Sequence, residues 1–348
     1  MLNLPGTGTP CISRNYHAVA PGNLREIGRK NAISYYEYTF PCQQYPSHKY
    51  RAYSHSYLTT LSLANTASLT IMPASMEYVI FSDLDGTLLD EGYSFSGASK
   101  ALLELKKHEI PVVLCTSKTR AETLFWREQL GLNTPFIVEN GGAILIPHNY
   151  FPATYPDAKQ DFTTITLGAS YERLRLALTH LQLQGIKLKG FGDMSVSEVA
   201  SLTGLNFHLA FLAKQRQYDE PFIFEGKQSE GITHATTLAR QQGLRVEKGG
   251  RFYHLLGNND KGEAVLILKK LYQQQYSNIT LVGIGDSEND LSLLSKVYLP
   301  FLVQRPNKTY ASPDYIHAPG IGPRGWSWVV KQLLDADQAG FPRAPEFG

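Results

Sequence analysis

The chain has few cysteines, little net charge and no long apolar segment. Its three cysteines, Cys11, Cys42 and Cys115, are too few and too scattered for a disulfide framework or a zinc site. A formal net charge of +2, without basic runs interleaved with aromatic residues, argues against an extended nucleic-acid-binding surface. Residues 58–72 are interrupted by Thr, Ser and Asn, which argues against a membrane span or a signal sequence. These absences favour a reducing, cytoplasmic compartment and no membrane partner.

Residues 1–75 differ in composition from the rest of the chain. They are rich in Tyr, Pro, Ser and Thr, contain Glu26 and Glu37 as their only acids, and show no sustained apolar periodicity. We therefore predict a disordered N-terminal extension, or upstream sequence translated before a start near Met76. A transit peptide is the alternative. Residues 336–348, which contain Gly and Pro, are predicted to form a loose tail.

Residues 81–89 carry the clearest chemical signal. The β-rich run 78–80 predicts a buried strand, and Asp83 and Asp85 follow at its end. Side chains alternate along a strand, so these two carboxylates can face the same way, and like charges that close are costly without a cation between them. Mg²⁺, which prefers oxygen ligands, would supply that cation. The alternative is an Asp-Gly turn with two solvated carboxylates.

A second apolar strand is predicted at residues 110–115 and ends in Thr116, Ser117 and Lys118. A hydroxyl at a strand end can donate to a phosphoryl oxygen, and the N-terminus of the next helix adds backbone donors. Thr116 and Ser117 are alternatives for this contact. The other hydroxyl would cap the helix predicted over residues 120–130.

Lys261 precedes a predicted helix whose apolar residues lie at positions 264, 267, 268 and 271, the spacing of one buried face. A cation at a helix N-terminus opposes the helix dipole, so helix stability does not explain this lysine. A role against phosphoryl charge explains it better, and an ordinary surface lysine is the alternative.

These segments, together with G-D-S-E-N-D at residues 285–290, resemble the four ordered motifs of the haloacid dehalogenase superfamily. The resemblance implies an α/β fold with a Rossmann-like core, a parallel sheet with helices on both faces. It also implies that Asp83 is a nucleophile that forms an aspartyl-phosphate, and that Asp85 is the general acid and base.

The same resemblance implies a Mg²⁺ site and the residues around it. Asp83, Asp85 and Asp286 would hold the ion, and Thr116 and Lys261 would complete the catalytic set. Asn289 and Asp290 would orient the ligands or Lys261. The alternative for this last cluster is an acidic helix N-terminus that satisfies the helix dipole.

The 348 residues suggest about two domains, and the longest gap between motifs lies between Thr116 and Lys261. We predict a core domain formed by residues 76–150 and 254–335, with an inserted α+β cap domain at residues 151–253. An insertion at this point resembles the type-2 caps of sugar phosphatases, in which the cap closes over the substrate.

Three strings resemble the mannosyl-3-phosphoglycerate phosphatase family more specifically. They are T-S-K-T at 116–119, R-Q-Y-D-E-P-F at 216–222 and G-R-F-Y-H-L at 250–255. The resemblance implies Mg²⁺-dependent hydrolysis of a small sugar phosphate, mannosyl-3-phosphoglycerate, to mannosylglycerate, a compatible solute. Glucosyl-3-phosphoglycerate or another sugar phosphate is the alternative substrate. A non-catalytic sugar-phosphate-binding protein is the alternative of another class, and the sequence leaves the oligomeric state open.

The candidate substrate-binding residues combine charged and polar side chains near these strings. An arginine can clamp an anion through two hydrogen bonds, and a carboxylate can accept from sugar hydroxyls. The alternative for each cap residue is a surface charge or a local ion pair, and for the pair at 139–140 it is closure of the turn that follows. The candidates are Ser117, Lys118, Glu139, Asn140, Arg216, Asp219, Glu220 and Arg251.

Overall fold

The computed structural model divides the chain into two units, Met1–Thr70 and Ile71–Gly348. The residues that it describes are 26–30, 33–36, 77–152, 161–225, 228–276 and 278–338. In the first unit, strands β1 (Glu26–Lys30) and β2 (Ile33–Tyr36) pair antiparallel. This pair lies inside the segment predicted to be disordered, and the Ile and Tyr residues of β2 favour a strand. The rest of residues 1–75 lies outside the described residues.

The second unit alternates strands and helices along the chain. Its strands are β3 (Glu77–Ser82), β4 (Val112–Cys115), β5 (Phe136–Val138), β6 (Ala143–Pro147), β7 (Phe162–Thr166), β8 (Leu188–Gly190), β9 (Asp219–Phe224), β10 (Arg245–Lys248), β11 (Tyr253–Leu256), β12 (Ile279–Gly285), β13 (Leu299–Gln304) and β14 (Ile316–Ile321). Its helices are α1 (Ser99–Lys107), α2 (Arg120–Leu130), α3 (Tyr171–Leu183), α4 (Val196–Thr203), α5 (Phe207–Ala213), α6 (Gln228–Gln241), α7 (Lys261–Gln275), α8 (Leu291–Leu294) and α9 (Pro323–Gln338).

The larger sheet has the strand order β14-β13-β12-β3-β4-β5-β6-β7. All neighbours from β14 to β5 pair in parallel, whereas β6 pairs antiparallel with both β5 and β7. The central strands are apolar without alternation because both of their faces are covered. Side chains of α1, α2 and α9 pack on one face, and side chains of α7 and α8 pack on the other. The predicted α/β class, with helices on both sides of a parallel sheet, is therefore confirmed.

Helix α2 shows how local sequence sets an element beside the site. Thr119 and Glu122 form a capping box at its N-terminus, and Gly131 adopts a left-handed conformation at its C-terminus with φ 64°. The helix therefore covers the range predicted from the sequence. Helix α9 is longer than predicted, since it continues through residues 336–338 of the predicted tail, and residues 339–348 lie outside the described residues.

The smaller sheet is antiparallel, has the order β10-β11-β9-β8, and packs against α3 and α6 around its own apolar cluster. Its limits differ from the predicted cap boundaries at residues 151 and 253. Strand β7 extends the larger sheet, and its half-exposed, alternating pattern suits an edge strand. Strand β11 pairs with β9 and β10, so the chain leaves the smaller sheet after Leu256.

Among the described residues, no single helix combines the length and apolarity needed to cross a membrane. The consecutive helices α4 and α5, bent by 105°, meet the test together by length and composition alone.

Candidate active site

The candidate site lies at the carboxyl ends of three adjacent strands of the larger sheet. Asp83 follows β3, Thr116 follows β4 and Asp286 follows β12. This edge of a parallel α/β sheet is where crevices for ligands form. A cavity of about 760 Å³ opens there, and it is lined by Asp83, Asp85, Lys118 and Asp286 together with residues of the smaller sheet. The structure thus brings the first and fourth sequence motifs together.

Lys261, the first residue of α7, is buried and lies between two carboxylates. Its Nζ lies 2.8 Å from Asp83 Oδ1 and 2.7 Å from Asp290 Oδ1. Burial alone would lower the pKa of Lys261, but these two carboxylates raise it well above its usual range. The ammonium group is therefore held charged beside Asp83. Asp260 caps the helix by accepting from Glu263 N at 2.9 Å, so helix capping does not explain the position of Lys261.

Three carboxylates converge beside this lysine. Oxygens of Asp83, Asp286 and Asp290 all lie within 4.8 Å of one another. Burial raises the pKa of Asp83 to about 7, with Asp290 also raising it and Lys261 opposing. Burial, followed by the charges of Asp290 and Asp83, raises the pKa of Asp286 well above its usual range. The excess negative charge and the all-oxygen donor set fit a divalent cation such as Mg²⁺.

The carboxylate of Asp85, a residue predicted to be a metal ligand and the general acid and base, lies beside Lys118. Asp85 Oδ2 lies 2.8 Å from Lys118 Nζ, and Asp85 Oδ1 is buried without a hydrogen-bond partner in the described residues. Asp290 lies in the acidic cluster with Asp83 and Asp286 and also accepts from Lys261 Nζ, the contact that its predicted orienting role requires. The unpartnered oxygen of Asp85 remains available to a proton or a ligand.

Lys118 is buried between Asp85 and Glu122, and its Nζ lies 5.1 Å from the ring centroid of Tyr93. Burial would lower the pKa of Lys118, but Asp85 and Glu122 raise it above its usual range. Thr116 is fully buried and its Oγ1 accepts from Lys118 N at 3.2 Å, whereas Ser117 lines the cavity. Of the two hydroxyl residues, Ser117 is thus the one exposed to the cavity.

Arg216 joins the smaller sheet to the loops of the larger one. It is buried, and its Nη2 donates to Asp219 Oδ2 at 2.7 Å and to Ser117 O at 3.0 Å. Asp219 also accepts from Asn140 Nδ2 at 3.0 Å. Burial would raise the pKa of Asp219, but His254 and Arg216 lower it below its usual range. Arg216 lines the cavity, whereas Asp219 does not.

Glu139 and Asn140 form a tight turn with φ values of 49° and 55°, which residues other than glycine rarely adopt. The Glu139 carboxylate accepts from Gln217 N and Tyr218 N, and burial raises its pKa to about 7 although Arg216 opposes. Gly141 is required in this turn because a β-carbon there would lie 2.1 Å from Asp260 O. The turn therefore contacts the loop at Gln217 and Tyr218, and neither Glu139 nor Asn140 lines the cavity.

The two remaining candidates from the cap differ in position. Glu220 is buried and bonds Arg175 Nη1 at 2.7 Å and Gly192 N at 3.0 Å, away from the cavity. Arg251, on the turn between β10 and β11, is exposed, lines the cavity and donates to Thr203 O. Of these two residues, Arg251 is thus the one that can meet a ligand without breaking an ion pair.

Sequence reasoning missed several residues that line the cavity. Arg305 donates to Asp286 O at 2.9 Å and to Glu288 Oε2 at 2.7 Å, and Lys248 lies at the end of β10. His254 also lines the cavity from β11. Arg305 and Lys248 lie outside every recognised motif, so no pattern in the sequence marks them. Asn289, by contrast, is predicted from the sequence to orient the metal ligands or Lys261. It lines the cavity, and its Nδ2 donates to Asn140 Oδ1 at 3.3 Å.

The fold and the acidic site define a hydrolase of the haloacid dehalogenase-like class, and residues 80–166 match the family model described as haloacid dehalogenase-like hydrolase. The chain is 42% identical over 268 residues to a glucosyl-3-phosphoglycerate/mannosyl-3-phosphoglycerate phosphatase of Methanococcoides burtonii, covering 74% of this chain and 98% of that protein. It is 39% identical over 229 residues to a mannosyl-3-phosphoglycerate phosphatase of Pyrococcus furiosus, covering 65% and 90%. The chain therefore belongs to the mannosyl-3-phosphoglycerate phosphatase family, as the motifs predicted, and is a phosphatase.

Solved structures support the fold. A haloacid dehalogenase-like hydrolase from B. subtilis superposes with a TM-score of 0.52 at 18% identity, covering 74% of this chain and 99% of that one. A haloacid dehalogenase-like hydrolase from Bacteroides thetaiotaomicron gives a TM-score of 0.53 at 16% identity, covering 74% and 99%. At this identity the likeness concerns the fold alone.

Proposed function

We propose that this phosphatase hydrolyses mannosyl-3-phosphoglycerate, and also its glucosyl counterpart, to the glycosylglycerate and inorganic phosphate. The observation that carries the proposal is the 42% identity over nearly the whole length of a relative named for both substrates. The buried Lys261–Asp83 pair, of which Asp83 lines the cavity, supports the chemistry. The product would be a compatible solute.

Asp83 is proposed as the nucleophile. One of its carboxylate oxygens attacks phosphorus, a P–O bond to Asp83 forms, and the P–O bond to the glycerate breaks. Asp85 gives its proton to the departing glycerate oxygen and so releases an alcohol. Asp85 then takes a proton from water, whose oxygen attacks phosphorus and displaces the Asp83 carboxylate. Phosphate leaves, and both aspartates return to their starting states.

The charge around Asp83 suits this sequence. Lys261 holds the attacking carboxylate in place and offsets negative charge that develops nearby. Ser117 and the backbone of the loop that begins at Thr116 are proposed to donate to phosphoryl oxygens, with Thr116 Oγ1 as the alternative. Mg²⁺ held by Asp83, Asp286 and Asp290, with the backbone of Asp85, would neutralise charge on the phosphoryl group.

The second anion of the substrate, the glycerate carboxylate, needs a cation outside the phosphate site. Arg251 and Lys248 lie on one hairpin that lines the cavity, and Arg305 lines it from the loop after β13 of the larger sheet. Arg305 is already paired with Glu288, so we propose Arg251 as the main partner of this carboxylate.

The test is phosphate release by the full chain with Mg²⁺. The panel contains mannosyl- and glucosyl-3-phosphoglycerate, mannose 6-phosphate, glucose 6-phosphate and 3-phosphoglycerate. We expect the two glycosyl-3-phosphoglycerates to give the highest kcat/KM. Preference for a hexose phosphate would contradict the substrate assignment. Binding of these compounds without any phosphate release would favour a sugar-phosphate-binding protein instead.

A further inference from the structure

His254 takes no part in the proposed chemistry, yet one edge of its ring is fixed. Its Nδ1 lies 2.8 Å from Asp219 Oδ2 and 3.0 Å from Asp219 Oδ1. That carboxylate is fully buried and is itself held by Arg216 and Asn140. The ring therefore has little freedom to rotate, and the bond to a carboxylate assigns a proton to Nδ1.

The opposite edge of the ring carries an unpartnered nitrogen. His254 is 8% exposed and lines the cavity, and within the described part of the chain no hydrogen bond reaches its Nε2. A β-carbon at position 249 would lie 2.7 Å from Nε2, so Gly249 leaves open the space beside this atom. Gly249 lines the same cavity. A polar atom of a largely buried, fixed ring that faces a cavity without a partner indicates a contact with the cavity's ligand.

We propose that His254 is a specificity-determining residue whose Nε2 forms a hydrogen bond with a sugar hydroxyl of the substrate. Nδ1 is taken up by Asp219, so Nε2 is the ring nitrogen that can meet a ligand. A sugar hydroxyl can pair with Nε2 as donor or as acceptor, whereas Lys261 and Arg251 already supply cations for the phosphate and the carboxylate. Asp219 acts through His254 as a positioning residue. This inference rests on the proposed function.

His254→Asn tests the contact because the asparagine amide keeps a donor toward Asp219 but removes the atom at Nε2. We expect the ratio of kcat/KM for mannosyl-3-phosphoglycerate to kcat/KM for an aryl phosphate to fall about 5- to 150-fold, the range for leaving a buried group unsatisfied. His254→Gln, whose longer amide reaches the position of Nε2, should recover part of the ratio. His234→Asn, an exposed histidine on α6, is the matched control and should leave the ratio unchanged.

Three outcomes would overturn the inference. One is an unchanged ratio in His254→Asn. Another is an equal loss on both substrates with a lowered melting temperature, which would assign His254 to folding of the cap. The third is an equal loss of kcat/KM, or of affinity as a competitive inhibitor, for 3-phosphoglycerate. Because this compound has the carboxylate but no sugar, such a loss would assign Nε2 to the carboxylate. If the wild-type chain releases no phosphate from glycosyl-3-phosphoglycerates, the proposed function fails separately from this inference.

Discussion

Lys261 Nζ lies 2.8 Å from Asp83 Oδ1, although 178 positions separate the two residues in the chain. The contact joins the end of β3 to the start of α7, and both groups are almost fully buried. A buried ion pair offsets the cost of removing charges from water only when each partner is present. Asp83 therefore depends on Lys261 both for its position and for its charge balance.

Lys261→Met should destabilise the protein and abolish turnover, because Asp83 and Asp290 would lose their shared cation. Removing one partner of a buried pair costs about 3–5 kcal/mol. Urea unfolding in EDTA measures this loss, and added Mg²⁺ should restore part of it. Lys331→Met, at an exposed position of α9, is the control. Wild-type stability in Lys261→Met would show that the pair contributes nothing to the fold.

Mg²⁺ should raise the melting temperature of the wild-type protein, and Asp286→Asn should weaken this response. At a concentration a hundredfold above Kd, a bound ion contributes about 2.7 kcal/mol to stability. In EDTA the variant should be no less stable than wild type, because it removes one of three converging negative charges. Asp335→Asn, at an exposed position of α9, is the control, and an undiminished Mg²⁺ response in Asp286→Asn would remove Asp286 from the metal site.

Asp85→Asn should slow turnover according to the leaving group. The variant keeps Asp83 and the backbone of residue 85 but cannot move a proton, and general acid–base groups contribute about 10²- to 10⁴-fold. Aryl phosphates, whose leaving groups need no proton, should lose less activity than mannosyl-3-phosphoglycerate. Equal losses on the two substrates would speak against the acid role of Asp85.

Substitutions of Arg251 and Arg216 should have different effects on activity and stability, although the sequence predicts an anion-binding role for both. Arg251→Ala should lower kcat/KM for mannosyl-3-phosphoglycerate about 10- to 150-fold with little effect on an aryl phosphate, since a charge-assisted hydrogen bond contributes about 1.5–3 kcal/mol. Arg216→Ala should lower the activity on both substrates together with the melting temperature, because Arg216 holds Asp219 and the Ser117 loop. A selective loss in Arg216→Ala would instead make it a substrate contact.

The elements that carry the motifs were predictable, whereas the partners of the cap charges were not. Apolar strands and the capping signals around α2 predict those elements because their causes are local. Glu220 pairs with Arg175, 45 positions away in the chain, and Arg216 reaches Glu139 and Ser117 O in the loops of the larger sheet. These contacts depend on tertiary placement, which no spacing in the sequence encodes. Strand β7 falls in the predicted cap for the same reason, because its short polar sequence does not show which of the two sheets it joins.

The most direct test of the central claim is chemical identification of the phosphorylated residue. Quenching the reaction with mannosyl-3-phosphoglycerate and reducing the acyl phosphate with borohydride converts a phosphorylated aspartate to homoserine, which peptide mass spectrometry locates. We predict homoserine at position 83 in the wild-type chain, none in Asp83→Asn, and a loss of turnover of about 10⁴-fold or more in that variant. A modified residue other than Asp83, or substantial activity in Asp83→Asn, would contradict the account.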